Sequence, residues 1–154
     1  LIARHVGDLQ IGVYVAPSYV ERLGAPAHPR ELQNTDHCIV GFLSSRTSKI
    51  DPLVLCSENE RIEITGNYVL AVDDGNAYLE AGLVGLGVIA LPNYMVAAHQ
   101  AVGALIPLFT QWRISPMPLY LAFPPNRHVN AKLRVFIDWI VELMQQHVPI
   151  TNNK

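Results

Sequence analysis

Few side chains in this sequence stand where covalent chemistry would need them. His37 and Cys38 are the types that a thiol nucleophile and its base require. Adjacent side chains of a strand point to opposite faces, however, so these two cannot serve each other, and packing is the plainer role. Asp73-Asp74 is an acidic pair on neighbouring positions whose side chains diverge, which suits a helix cap better than a catalytic dyad. The six histidines (5, 28, 37, 99, 128 and 147) show no i, i+2 or i, i+4 pairing of the kind that holds a metal, and most read as surface or loop residues. Gly82, Gly85 and Gly87 run G-x-x-G-x-G from a helix into a strand, whereas a dinucleotide site needs G-x-G-x-x-G between strand and helix. Neither a G-x-S-x-G elbow nor a Walker A loop is present. These patterns predict no catalytic residue, no metal and no cofactor, so the chain does not read as an enzyme.

What the glycines build instead is a corner. In residues 71–92, Asp74 or Asn76 can cap a short helix, on which Ala77, Ala81 and Val84 recur at helical spacing. Gly85 and Gly87 then permit the left-handed backbone and close approach that end a helix. Val88-Ile89-Ala90-Leu91 follows as a short buried strand stopped by Pro92. A corner of this kind sets backbone N–H groups at the mouth of an α/β sheet, where small ligands bind.

The remaining elements alternate. Leu9, Ile11, Val13 and Val15 predict one strand over residues 9–15, and Pro17 opens a short helix that Gly24 ends. Strands are expected at 37–43, 52–56, 61–65, 68–72, 104–109 and 118–123, with a turn near 29–32 and a helix over 93–100. The last helix begins after Asn130 and carries Leu133, Phe136, Ile137, Ile140, Leu143 and Met144 as one apolar stripe. Strands and helices in this order predict an α/β fold. The chain has 154 residues, half of them hydrophobic and 16% charged, which suits one globular domain or two small lobes. Its 11 Lys and Arg residues are scattered and its net charge is −2, so no basic stripe predicts nucleic-acid binding by these residues. Cys38 and Cys56 read as buried, reduced thiols of a cytoplasmic protein. The charge-free run 81–98 is interrupted by Gly82, Gly85, Gly87, Pro92 and Asn93, which argues against a membrane span. A chain that opens on Leu1 reads as a piece of a longer one.

The corner resembles the "n-d-x-x-a-l-x-x-a-x-x-G-x-G-i-a-x-l-P" segment of the effector-binding region of LysR-type transcriptional regulators. Other segments agree in order. Leu1 to Gly7 resembles "L-x-x-R-x-L-G", and Val13-Tyr14-Val15-Ala16-Pro17-Ser18-Tyr19-Val20 with Leu23-Gly24 resembles "v-v-A-S-P-x-Y-L-x-x-x-G". Pro26, Pro29, Leu32 and His37-Cys38 resemble "P-x-x-P-x-d-L-x-x-H-x-C". Further likeness lies in Gly103 to Trp112 and in Asn126-Arg127-His128 with Phe136-Ile137-Asp138.

The resemblance implies a type 2 periplasmic-binding-protein-like bilobal fold, here the second lobe plus the returning part of the first. On that pattern residues 1–15 form the crossover, 16–91 the second lobe, and 92–154 the return to the first lobe with the C-terminal helix. Val15, Ala16, Pro17, Leu91 and Pro92 are the implied hinge. Phe42, Leu43, Ser44, Ser45 and Arg46, with Gly87, Val88 and Ile89 of the corner, are the implied ligand-binding residues. Two hydroxyls, a guanidinium and backbone N–H groups suit a carboxylate or another small anion. The implied function is small-molecule effector sensing and assembly into a homodimer or homotetramer, with promoter DNA read only by an N-terminal winged helix-turn-helix. A solute-binding protein of the same fold, cytosolic or periplasmic, is the alternative. The pattern's winged helix-turn-helix and the opening strand–helix units of its first lobe have no counterpart in these residues.

Overall fold

The computed structural model describes residues 1–34, 36–125 and 131–148; the expected cap Asn130 and the Asn126-Arg127-His128 motif lie outside them. In chain order the elements begin β1 (Ile2–Leu9), β2 (Ile11–Val15), α1 (Pro17–Leu23), a 3-10 turn (Pro29–Gln33), β3 (Ile39–Phe42), β4 (Leu53–Cys56) and β5 (Arg61–Ile64). They continue β6 (Tyr68–Val72), α2 (Gly75–Leu83), β7 (Ile89–Pro92), α3 (Asn93–Ala101), β8 (Ile106–Leu108), β9 (Met117–Phe123) and α4 (Ala131–His147). The chain divides into two compact units, Leu1–Gln10 with Pro116–Lys154, and Ile11–Ser115.

In the Ile11–Ser115 unit, β2 pairs antiparallel with β7 on one side and β8 on the other. β3 pairs parallel with β6, and Ile39 makes a parallel bridge to Val88 just before β7. The resulting order is β6-β3-β7-β2-β8. Alternation along each strand sends side chains to two cores. Val13, Val15, Ile39 and Val88 meet Tyr19, Leu32, Leu55 and Ile64 on one face. Tyr14, Val40, Ile89 and Leu91 meet Tyr78, Leu79 and Val96 on the other. The β4–β5 hairpin, antiparallel from Leu53 to Ile64, closes the first face.

The glycine corner forms, with its two glycines doing different jobs. Gly85 takes φ 75, and a Cβ there would collide with the Ser18 hydroxyl. Gly87 keeps an ordinary φ, contrary to the left-handed expectation. A Cβ on it would stand 2.9 Å from the Cys38 carbonyl oxygen, so it lets two backbones approach.

Three expectations change. The strand foreseen over 9–15 is two strands separated at Gln10: β1 pairs with β9, and β2 with β7 and β8. Apolar alternation runs unbroken through Gln10, so the pattern hides the change of partners. The second unit also begins earlier and ends later than the expected 16–91. It starts at Ile11 and takes in α3 and β8 up to Ser115, because Val96, Leu105 and Leu108 bury themselves in its two cores. The residues expected as a hinge, Val15, Ala16, Pro17, Leu91 and Pro92, consequently lie inside that unit, with Val15, Ala16 and Leu91 buried. The chain passes between units at Gln10–Ile11 and Ser115–Pro116 instead.

The smaller unit is the antiparallel pair β1–β9 with α4. Ile137 and Val141 of α4 pack on Val6, with Leu119, Leu121 and Met144 at the margin. Only part of the expected stripe is covered, since Phe136 is half exposed and Leu133 more than a third.

Candidate functional site

The strand directions bring several chain ends to one edge of the larger unit's sheet. β3, β6 and β7 run parallel to one another and finish there, at Phe42, Val72 and Pro92; β2, antiparallel to β7, starts there at Ile11. β8 also finishes there, since Leu108 lies level with Val13. Open α/β sheets bind ligands outside the carboxyl ends of their strands, where loops supply varied side chains on a rigid frame.

Phe42, Leu43, Ser44, Ser45 and Arg46 all stand at this edge. Phe42 packs its ring edge-on against Tyr78, centroids 5.5 Å apart, and is only partly buried. Leu43 N–H donates to the Val72 carbonyl at 2.8 Å and Leu43 bridges Ile50, so the loop is pinned at its base. Ser44 N–H donates to Lys49 O at 2.9 Å, and Ser48 N–H to Ser44 O at 2.8 Å, which closes residues 44–49 into a tight tip. Ser45 and Arg46 are exposed on that tip, and Arg46 has no ion-pair partner among the described residues.

Val88 of the corner does not join them as a backbone donor. Val88 N–H donates to Cys38 O at 2.9 Å, and Val88 O accepts from Val40 N–H at 3.0 Å, so its backbone belongs to the sheet. Val88 and Ile89 side chains are fully buried, and Gly87 is buried against β3. The corner positions β3 and β7; it does not present free N–H groups through Val88. A parallel neighbour strand claims them, which no single-strand pattern can reveal.

Two helices begin at this edge with opposite electrostatics. At α2, the Asp74 carboxylate accepts from Asn76 N–H at 3.0 Å and Ala77 N–H at 2.9 Å, so its own anion satisfies the helix start. At α3 the capping position is Pro92, which has no side chain able to accept, and the first turn carries no acidic residue. Tyr14, almost fully buried, donates its hydroxyl to Asn93 Oδ1 at 2.9 Å, which orients the amide N–H₂ away from that oxygen. Burial raises the Tyr14 phenol above its ordinary pKa, so it stays a donor at neutral pH. Beside Tyr14 and Asn93 lies a cavity of about 200 Å³, with Leu108, Phe109 and Trp112 on its walls.

Sequence reasoning missed the buried polar groups behind this edge. Tyr19, expected only as part of a motif, is wholly buried: its oxygen accepts from Cys38 N–H at 3.0 Å and its hydroxyl meets His37 Nδ1 at 2.9 Å. His37 is buried, as its expected packing role requires, but its polar partners were not foreseen: besides Tyr19, its Nε2 lies 3.9 Å from Glu31 Oε2. Tyr78 accepts from Ala90 N–H at 3.1 Å, and burial pushes its phenol up to about 12. No local signal marks these groups, because their partners lie 12 to 19 residues away.

The larger unit is thus an α/β sheet with polar loops at its carboxyl edge, and no catalytic group is assembled among the described residues. Residues 1–145 match the family model described as the LysR substrate binding domain, and the chain belongs to that family, a non-enzymatic one. It is 27% identical to an HTH-type transcriptional repressor of Pseudomonas aeruginosa over 97% of this chain and 47% of that protein. It is 29% identical to the HTH-type transcriptional regulator CrgA of Neisseria meningitidis over 92% of this chain and 46% of that one. The chain therefore spans about half the length of the curated relatives it matches. The solved CrgA regulatory domain aligns with a TM-score of 0.73 at 27% identity, covering 93% of this chain and 68% of that one. The regulatory domain of AphB in Vibrio vulnificus aligns with a TM-score of 0.72 at 24% identity, over 93% of this chain and 69% of that one, and shows the shared fold. The α/β fold is thus that of LysR-type regulatory domains, which is periplasmic-binding-protein-like. Among the described residues no helix is long and apolar enough to cross a membrane.

Proposed function

We propose that this chain is the effector-sensing and oligomerisation region of a cytoplasmic LysR-type transcriptional regulator. The observation that carries the reading is the family match along residues 1–145, shared with DNA-binding regulators of which this chain spans about half. Promoter DNA is read by a helix-turn-helix segment of the whole protein, and this region assembles it into a homodimer or homotetramer. The effector is a small anion, a carboxylate foremost, received at the sheet edge where Ser44, Ser45 and Arg46 offer hydroxyls and a guanidinium. Gly87, Val88 and Ile89 support that edge from beneath. The junctions Gln10–Ile11 and Ser115–Pro116 act as the hinge, since the chain leaves the larger unit there. Effector binding then shifts the population of arrangements that the oligomer adopts on DNA, by as much as its affinity differs between them.

The test is promoter binding by the full-length regulator, measured by gel shift with and without a panel of small carboxylates. One or more should change the affinity, and Arg46→Ala should abolish the response while leaving effector-free DNA binding intact. Failure of the full-length protein to bind any DNA upstream of its own or neighbouring genes would overturn the reading.

A further inference from the structure

Tyr19, His37 and Glu31 form a line of polar groups from the core of the larger unit to its surface. Tyr19 is fully buried and His37 buried, whereas the Glu31 side chain is 41% exposed. The Tyr19 and His37 rings stack with planes 22° apart and centroids 6.1 Å apart. The Tyr19 oxygen accepts from Cys38 N–H at 3.0 Å and lies 2.9 Å from His37 Nδ1. Burial holds the Tyr19 phenol above its ordinary pKa, so the hydroxyl keeps its proton at neutral pH.

That geometry fixes where the protons are. The Tyr19 hydroxyl has one proton to give, and among the described residues His37 Nδ1 is the acceptor it meets. Nδ1 therefore carries a lone pair, and the proton of the neutral ring sits on Nε2, 3.9 Å from Glu31 Oε2. Imidazole ordinarily takes its second proton just below neutral pH. Here that proton has only Nδ1 to go to, where the Tyr19 O–H already points. Two donors cannot share one line. A phenol that turns to accept from Nδ1 leaves its own proton buried without an acceptor, which is strongly unfavourable.

The charged groups around the ring decide which contact survives. Glu31 of the 3-10 turn attracts an imidazolium through Nε2, and its carboxylate is held by Ala27 N–H at 3.3 Å and His28 N–H at 3.2 Å. Arg22 of α1 lies over the Tyr19 ring at 5.7 Å and donates to the Gly85 carbonyl at 2.8 Å. In the chain itself, Asp36 on one side of His37 is exposed, and Cys38 on the other is a free thiol. A protonated His37 thus keeps Glu31 and loses Tyr19.

We propose that Tyr19, His37 and Glu31 form an acid-sensitive latch on the start of β3, closed when His37 is neutral and released when it is protonated. The carbonyl of Cys38, whose N–H the latch holds, accepts from Val88 N–H at 2.9 Å, so release loosens the point where β3 meets the chain entering β7. The latch is independent of the effector reading, since none of its three groups stands at the carboxyl edge of the sheet.

Nitrogen-15 NMR of the 154-residue chain at pH 8 should show the His37 proton on Nε2 and a hydrogen-bonded lone pair on Nδ1. Protection of the Cys38 amide from hydrogen exchange, corrected for the intrinsic rate at each pH, should fall at least about tenfold between pH 8 and pH 5. The Leu43 amide, bonded to Val72 O just past the far end of β3, should hold its protection. His37→Gln supplies an acceptor for Tyr19 but takes no proton, so it should remove the fall at Cys38 without lowering the value at pH 8. A proton on Nδ1 at pH 8, no fall at Cys38, an equal fall at Leu43, or a fall that persists in His37→Gln each overturns the latch. If His37→Gln does not fold, the tautomer and the two amides decide the matter in the unaltered chain.

Discussion

The two units treat their side chains in opposite ways. The larger one buries Tyr19, Leu32, Leu55, Ile64, Val88 and Ile89 essentially completely and gives each buried phenol a partner. Among the described residues the smaller one packs Val6, Ile137 and Val141 into a small core cluster, while Phe136, Trp139 and Tyr120 remain more than half exposed. Its charged groups divide: Arg4 and Asp138 pair at 3.6 Å with about half or more of each side chain in water, whereas Asp8 is buried and meets His5 at 2.8 Å. Two covered faces give the five-stranded arrangement a close-packed interior, and a strand pair with one helix has only one face to cover. The larger unit is therefore where substitutions should be felt, and also where a ligand site can be held rigid. Trp112 lies in the larger unit and Trp139 in the smaller, so single-tryptophan variants report on each separately.

The largest contrast is expected from one substitution made twice. Ile64→Ala, at a position with no exposure, should cost about 4–5 kcal/mol in urea unfolding followed at Trp112. Ile137→Ala, at a slightly exposed position in the thin core, should cost about 2 kcal/mol followed at Trp139. Equal costs would break the comparison.

Alkaline unfolding comes next. The Tyr78 phenol ionises near 10 in the unfolded chain and about 12 in the folded one. Stability from keeping it neutral is thus fully present below pH 10 and lost as pH rises through 12. The loss is roughly 2–3 kcal/mol at about 1.4 kcal/mol per unit. Tyr78→Phe should flatten the pH dependence of the Trp112 transition over that window; an unchanged curve would place the effect elsewhere.

Removing the Tyr19 hydroxyl should cost about 1–3 kcal/mol, since Tyr19→Phe leaves the Cys38 N–H and His37 Nδ1 without their partner. Hydrogen exchange at the Cys38 amide is the sensitive check. Asp74→Ala should cost about 1 kcal/mol by uncapping α2. At the bottom of the scale, Arg4→Ala should change stability by less than about 0.5 kcal/mol, because an exposed pair is screened by water and salt. A larger effect there would show that the smaller unit depends on its surface charges.

Much of this architecture is written locally. Asp74 caps α2, Gly24 and Gly85 take the positive φ that ends a helix or its turn, and Pro17 opens α1, each because the residue itself limits the backbone. The order of motifs from Leu1 to Asp138 carried the family, and with it the α/β fold. Alternation placed Val13 and Val15 on one face and Tyr14 on the other.

What only the tertiary structure decided is which strand meets which, and everything that depends on it. The break at Gln10 is invisible because β1 and β2 share one apolar period and differ only in their partners. The engagement of the Val88 backbone by Cys38 and Val40 turned an expected ligand contact into a buried support. The pairing of Tyr14 with Asn93, 79 residues apart, and the left-handed turn at Phe109 together made a cavity that no stretch of sequence announces. Local propensity acts through a residue's own backbone and its near neighbours, whereas long-range pairing depends on closing loops whose ends carry no mark of each other.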